Sequence, residues 1–550
     1  MKKYFTPLLI AAACSAQAQW TTDVSINTAV RAASGNDAGS MLIADGPDGS
    51  TYSCWFETVA GNYELHMQRM DAAGNRLWAD DGLVVSDHPQ NSAIYRSDLK
   101  TDADGNAVVA FQDERTGALD IVAYKIDPDG NNLWGADGVE LPTPGTTGLA
   151  PSVACLSNGN TAIAWNTNDS PGQIAVQLVG PAGDPLLLSP NLIAEATRVS
   201  RPVPVATTDG GFIIQYELEG SFFLTPATMY AQRYDAAGFP VWTAPVVVST
   251  QTIPGFFFPA PVADGQDGIY LAFDSSNPDN PSFTDVFVQR VRGDGSLWSA
   301  TGTRMDNDAG IQKFTAGKKL VWLNDAAGLM VPIQGTDGAQ GQSGLLVQRV
   351  DTAGVRQLGD QAVPVILIAP NGPVPADISA TVDGAVIVTY QGAFGQEHIA
   401  STRVDLNGLP VDVPAQMDLS TVNSNKGDIQ SSGLSNGQVV VVWEDDRALA
   451  GVYAQNITGL DIISGIQPVE AATNGFSLQQ NPAQTPVLLL PLDLQQGSQI
   501  AVYDAQGKQV YAQAAPAMDR VELPLQGLAS GVYTVRLLGN GQATAVRWVK

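Results

Sequence analysis

An all-β fold is predicted by three features of this chain. Its 550 residues include 55 glycines and 34 prolines but only 15% charged residues, the balance of a turn-rich β protein rather than a helical one. Apolar and polar residues alternate over short runs, and no segment keeps a helical period. Above all, one pattern recurs along most of the chain. It runs: short strand, Asp/Asn-Gly turn, apolar strand ending in an aromatic, variable loop, a strand such as "VQRVD", a turn such as "AAGN", then "LW" and a glycine. Recurrence at a period of roughly fifty-five residues marks a repeat architecture.

The turn glycines of the eight units are Gly49, Gly105, Gly159, Gly210, Gly268, Gly328, Gly384 and Gly437, separated by 56, 54, 51, 58, 60, 56 and 53 residues. Six residues after the glycine stand Trp55, Phe111, Trp165, Tyr216, Tyr390 and Trp443; Phe273 stands five after, and the sixth unit has Gln334. One bulky residue per unit at one strand position suits packing between neighbouring sheets, so these aromatics are expected in the core rather than on a carbohydrate platform. The Gln/Arg pair of the third strand ("MQRMD", "AQRYD", "VQRVR") is expected to form a hydrogen-bonding ladder on the sheet face. Four short strands per unit over eight units predict an eight-bladed β-propeller, with seven blades as the alternative. The eighth unit lacks its "LW" strand. Trp20 precedes Gly49 by an interval like that at which Trp78, Trp134, Trp242 and Trp298 precede their next turn glycines. Residues near 20–30 are therefore expected to supply the missing outer strand, closing a propeller that spans 19–457 and leaving no gap in the ring.

The opening "MKKYFTPLLIAAACSAQAQ" combines Lys2 and Lys3, a short apolar run, and small residues Ala16 and Ala18 before a cleavage site. Residues 1–18 read as a secretory signal peptide, with a lipoprotein alternative raised by Cys14. No other segment is long and apolar enough to span a bilayer. The formal charge of −27 repels phosphate backbones, which argues against nucleic acid or anionic membrane as partners. Cys54 and Cys155 fall in blades one and three, which are not neighbours, and are expected as two buried free thiols.

From about residue 473 the repeat stops, and short alternating strands predict a small Ig-like β-sandwich. Asn481-Pro482, the "VYDAQGKQV" hairpin with Gly507, "LQGLASGVYTVRL" with Gly531 and Tyr533, and the terminal "VRWVK" carry a resemblance. Residues 473–550 resemble the C-terminal sorting domain of type IX secretion cargo from Bacteroidetes, departing from it in having Gln479-Gln480 where an aromatic is usual. The resemblance implies export through the type IX machinery to the cell surface or medium. It also implies removal of the sorting domain in a linker, here 458–472, and release of the body or its attachment through lipopolysaccharide.

Binding is expected on the face where second-to-third and fourth-to-first connections meet, because those loops vary while the glycine turns opposite are regular. Two loops repeat an acidic pattern with an arginine: Asp113, Glu114 and Arg115, and Glu444, Asp445, Asp446 and Arg447. They are the candidate binding rim. "DADGN" and "DPDGNN" alternate oxygens around a glycine, making Asp102, Asp104, Asp127 and Asp129 candidate calcium ligands. No acid follows where a twelve-residue loop would close the shell, however, and Asp followed by Gly is also what a tight turn needs without metal. The spacing fails for a sialidase-type aspartate box. His66, His88 and His398 are scattered, and no nucleophile–base order, zinc spacing or phosphate loop is present. Calcium apart, no cofactor is expected. These readings predict a secreted or cell-surface binding or scaffold protein for a glycan or protein ligand. The rival is an extracellular polysaccharide hydrolase or lyase that uses loop-face carboxylates.

Overall fold

The computed structural model describes residues 20–550 except 33–35, 91–95, 142, 144–146, 221–224, 255–259, 316–319, 394, 449, 461–476, 479–484, 491–497, 505–507, 517, 519, 530 and 540–541. The expected signal peptide, most of the expected linker, and Asn481, Pro482 and Gly507 lie outside the described residues. The chain divides into two compact units, Met1–Asp461 and Ile462–Lys550.

The first unit contains eight antiparallel sheets among its described residues. In blade one, Ala38–Asp45, Thr51–Val59, Asn62–Met70 and Leu83–Ser86 pair in chain order. Blades two to five and seven repeat this plan, and blade six adds Val321–Asn324 beside Gly328–Thr336. Blade eight takes Lys426–Ser431, Gln438–Asp445 and Gly451–Thr458, and its outermost strand is Thr28–Ala29, with Thr28 opposite Ala454 and Ala29 opposite Tyr453. The first strand of blade eight packs on that of blade one, so the N-terminal strand and the last three strands of this unit share a sheet that lies beside blade one.

Each second strand is covered on both faces by neighbouring blades, which is why it reads as a nearly continuous apolar run. Trp55, Trp165 and Trp443 are wholly buried against the preceding blade. Two of the counted positions depart from expectation. In blades six and seven the glycine is already the first residue of the second strand, with Gly384 opposite Asp405. The residue five later therefore takes the core position, Ile333 in one and Thr389 in the other, both fully buried. Gln334 and Tyr390 fall on the opposite face, because a shift of one residue reverses a side chain's direction. Tyr390 is thus not a core aromatic.

On the glycine-turn face, one contact repeats from blade to blade. The Trp that precedes the fourth strand donates its indole N–H to a carbonyl in the third-to-fourth turn of the next blade: Trp78 to Pro128 (3.2 Å), Trp134 to Pro181 (3.1 Å), Trp242 to Gly293 (3.0 Å) and Trp298 to Thr352 (3.0 Å). Trp20 donates to Ala72 of blade one (3.0 Å) and so completes the series across the seam. Arg69 and Arg233 of the third strands reach the same carbonyls as Trp78 and Trp242. The Gln beside each arginine bonds instead within its own blade, Gln68 to Ala79 and Gln232 to Trp242. The ladder expected on the sheet face therefore also ties one blade to the next.

Near the opposite ends of the first strands, acidic and amide side chains accept N–H groups from the following blade. Asp98 accepts from Val153 (2.9 Å), Asp377 from Ser431 (2.7 Å) and Asp428 from Met41 (3.2 Å). Asn166 and Asp274 do the same for Arg201 and Thr315. Several of these first strands bulge here, with Ser40, Ala150, Arg201 and Asp428 in the left-handed region. A bulge re-aims N–H groups that a regular strand would point into its own sheet.

The second unit has a three-stranded and a four-stranded sheet around a core that includes Leu488, Val502, Val535 and Trp548. Tyr533 is buried and its hydroxyl donates to Ala529 (2.8 Å). Gly531 pairs with Lys550, whose ammonium caps the carbonyls of Leu525 and Leu528. Neither Cys54 nor Cys155 is in a disulfide; Cys54 is buried as expected, whereas Cys155 is only half-buried, on the wall of the central channel.

The turn glycines test the indole contact. Gly74 has φ +87°, and a Cβ there would stand 2.8 Å from Trp20 Cδ2, whereas Gly61 has the same φ with nothing within 4 Å. Gly61→Ala is expected to cost about 1 kcal/mol for backbone strain, and Gly74→Ala clearly more, measured by urea denaturation. Equal losses would show that seating the indole on the turn carries no weight.

Candidate functional site

The first strands of blades one to five, seven and eight wall a central cavity of about 830 Å³. Much of the wall is small or neutral, with Ser40, Ser152, Ala154 and Ala376 among its residues, so backbone comes close to the lumen. Arg96 and Lys100 stand on the blade-two side, Asp428 on the blade-eight side and Tyr390 in blade seven. Asp428 faces the channel lumen as a surface-exposed residue, and desolvation by the surrounding wall pushes its pKa up against the opposing hydrogen bonds from Met41 and Ser40.

The two loops singled out in the sequence do not converge; blade one separates them. Each forms a clasp at the end of its own second strand. Arg115 is held by Asp113 (2.6 Å) and the hydroxyl of Tyr124 (3.0 Å), and it donates onward to the carbonyl of Asp137 (2.6 Å). Glu114 is half-buried beside them. In blade eight, Asp445 accepts from Arg447 and from the indole of Trp443 (2.9 Å). Burial opposes ionisation of Asp445, but the bonds from Arg447, Ser424 and Trp443 outweigh it and hold the carboxyl below the usual range. Arg447 also donates to Ile26 O (2.8 Å) and Asn27 Oδ1 (3.1 Å), and stacks 3.8 Å over Tyr453. It thus anchors the N-terminal segment that closes the ring. Asp446 is exposed and accepts from Asn425 N (2.7 Å).

The calcium candidates sit in turns that use them. Asp102 accepts from Asn106 N (2.9 Å) and Lys125 Nζ (2.7 Å). Asp127 accepts from Asp129 N (3.0 Å) and Asn131 N (2.8 Å). Asp104 and Asp129 point into solvent as exposed residues. Among the described residues no three His, Cys, Asp or Glu side chains are gathered as a metal would need.

The structure brings forward a set that the repeat count missed. The residue after the core position in each second strand faces the next blade at the loop-side junction: Phe56, Gln112, Asn166, Glu217, Asp274, Gln334, Tyr390 and Glu444. All but Phe56 carry a polar group, which was readable once the strands were aligned by their third-strand partners rather than by glycine. Asn166 and Asp274 meet N–H donors there. Glu444 does not, because Asp428 already takes Met41 N. Its carboxylate makes no hydrogen bond among the described residues and lies between Gly39 and Gly427, whose added Cβ atoms would stand 3.7 and 3.1 Å from Oε2. Burial, reinforced by Asp428, Asp37 and Asp446, pushes Glu444 up to about 7. Glu217 of blade four is pushed up to about 8 by burial, with Glu219 adding to it and Arg201 and Arg96 opposing. Glu444 is therefore a carboxyl able to hold or release a proton near neutrality at the junction of blades eight and one.

Residues 481–550 match the family model described as a secretion system C-terminal sorting domain. The protein is therefore exported by type IX secretion to the cell surface or extracellular space. No helix among the described residues is long and apolar enough to cross a membrane. No curated protein matches the chain. Among solved structures, an ulvan lyase of a new polysaccharide lyase family is similar over 79% of this chain and 96% of its own, at 10% identity and a TM-score of 0.41. A puromycin hydrolase is similar over 86% of this chain and 61% of its own, at 13% identity and a TM-score of 0.38. A protein of unknown function from Dyadobacter fermentans is similar over 78% of this chain and 97% of its own, at 10% identity and a TM-score of 0.34. Likeness at this level carries no argument about activity.

A pH test follows from Glu444. A carboxyl at about 4.3 in the unfolded chain and about 7 in the fold binds more protons when folded between those values, so it lowers stability as pH rises through that window. Glu444→Gln is expected to raise the thermal midpoint relative to wild type at pH 8 and to leave it little changed near pH 4. A parallel shift at both pH values would contradict the raised pKa.

Proposed function

We propose that the exported propeller is a binding protein whose ligand, a glycan or an exposed protein segment, enters the loop-side mouth of the central channel. The observation that carries this reading is the cavity of about 830 Å³ with its close-set backbone and the charged Arg96, Asp98, Lys100 and Asp428 on its wall. A volume of this size lies within the range of roughly 300–1,000 Å³ typical of ligand sites. The charged loops that seemed apt to bind are spent on internal clasps, which leaves recognition to the channel wall and the junction side chains beside it.

A second reading is polysaccharide cleavage. It is favoured by Glu444 alone, a carboxyl near neutrality without a hydrogen-bond partner among the described residues, which is the property a general acid requires.

The two readings separate in one set of measurements on the full-length protein. Binding predicts retention on a glycan array or on surface-protein baits, and its loss in Ala376→Trp, which narrows the channel at a half-buried wall position, with the thermal midpoint kept. Cleavage predicts new chain ends from a polysaccharide panel, an activity that falls above pH 7, and silence in Glu444→Gln. If every retained ligand is still held by Ala376→Trp, the channel is removed from the binding reading.

A further inference from the structure

A second cavity, of about 430 Å³, opens between blades six and seven, away from the charged side of the channel. Its existence follows from the register shift described above. Gln334 shares the blade-seven-facing side of its strand with Met330 and lies beside Leu345; both of those pack against Ile378 and Ile387 of blade seven. Gln391, on the blade-six-facing side of its own strand, enters the same space, and Phe314, opposite Gln334, forms part of the wall. Tyr390 borders both cavities.

The chemistry of this cavity is unlike the rest of the surface. In a chain of formal charge −27, no Asp, Glu, Lys, Arg or His contributes to the wall among the described residues; the polar groups are carboxamides and hydroxyls. The side chains of Gln334, Gln391 and Tyr390 make no hydrogen bond among the described residues, and the buried Thr336 hydroxyl also lacks a partner. A carboxamide offers two donors and an acceptor with no charge to desolvate, and a half-buried phenyl ring offers an apolar face. That combination suits a ligand dense in hydroxyls that both donate and accept, has apolar C–H faces, and bears no charge.

We infer that the cavity between blades six and seven is a binding site for an uncharged saccharide. It goes beyond the channel reading, and either can fail without the other. Neutral glycans fit it better than uronic-acid polymers, because the wall has no cation to offset a carboxylate.

The test is calorimetric titration of the full-length protein with a panel of neutral hexaoses (laminari-, cello-, malto-, manno- and xylohexaose), and with polygalacturonate as the charged control. At least one hexaose is expected to bind and polygalacturonate not to compete. Gln391→Ala and Gln334→Glu are each expected to weaken that binding about tenfold, roughly one hydrogen-bonded contact, while Ala376→Trp in the channel leaves it unchanged. Gln391 is only half-buried, so its variant decides the matter should Gln334→Glu fold poorly. Absence of binding by every hexaose at millimolar concentration would overturn the proposal. So would unaltered affinity in a folded Gln391→Ala protein, or competition by polygalacturonate.

Discussion

The indole of one blade seated on the turn of the next is the contact on which the ring depends. A four-stranded sheet buries both faces only if it has neighbours, so each blade is stable only as part of a closed set. The Trp N–H that reaches a turn carbonyl satisfies the donor of a largely apolar group at the blade edge. The same contact also explains the glycine. Gly130, Gly183, Gly295 and Gly354 are in the left-handed conformation and lie under Trp78, Trp134, Trp242 and Trp298, so a side chain there would meet both backbone strain and the indole. Where blade three lacks the Trp, Asn191 donates to Gly238 O (2.8 Å) and keeps the junction polar but satisfied.

Most of this architecture was legible in the sequence because it is built from a period. The eight glycines fixed the units, and Trp20 gave away the closing strand although nearly the whole chain lies between it and its partners. The fine register was not legible. A count from the turn glycine assumes a turn of constant length. In blades six and seven the strand begins at the glycine, and the pairing with the third strand sets which side chains face inward. Tyr390 was misread for that one reason, and with Gln334 it borders the cavity between those blades. The partners of the loop acids were not legible for another reason. Asp113 with Arg115, and Asp445 with Arg447, have the composition of a rim, but only three-dimensional contacts with Tyr124, Trp443 and Asn27 reveal that their charges are already paired. Glu57 with Arg31 (3.5 Å) plays the same part in blade one, and no loop pattern marked it.

The acidic composition and the fold meet at the loop-side junctions. Carboxylates there accept N–H groups from the following blade, a use that needs acceptors and gains from their charge. The number of bulged N–H groups limits how many can be satisfied. At the seam between blades eight and one, Asp428 and Glu444 approach the same bulge and one of them goes without. The proton that Glu444 retains near neutrality is thus a consequence of ring geometry, independent of any ligand.

The closing strand has a topological consequence for the other end of the propeller. Because Thr28–Ala29 covers Gly451–Thr458 on its outer side, the last strand of the ring lies inside its sheet, and the chain departs from the interior of a finished blade. A cut in the segment beyond it would take away no strand, expose no new sheet edge and open no seam. What the address label delivers is sewn shut upstream of the label, so the two can part without unravelling the cargo.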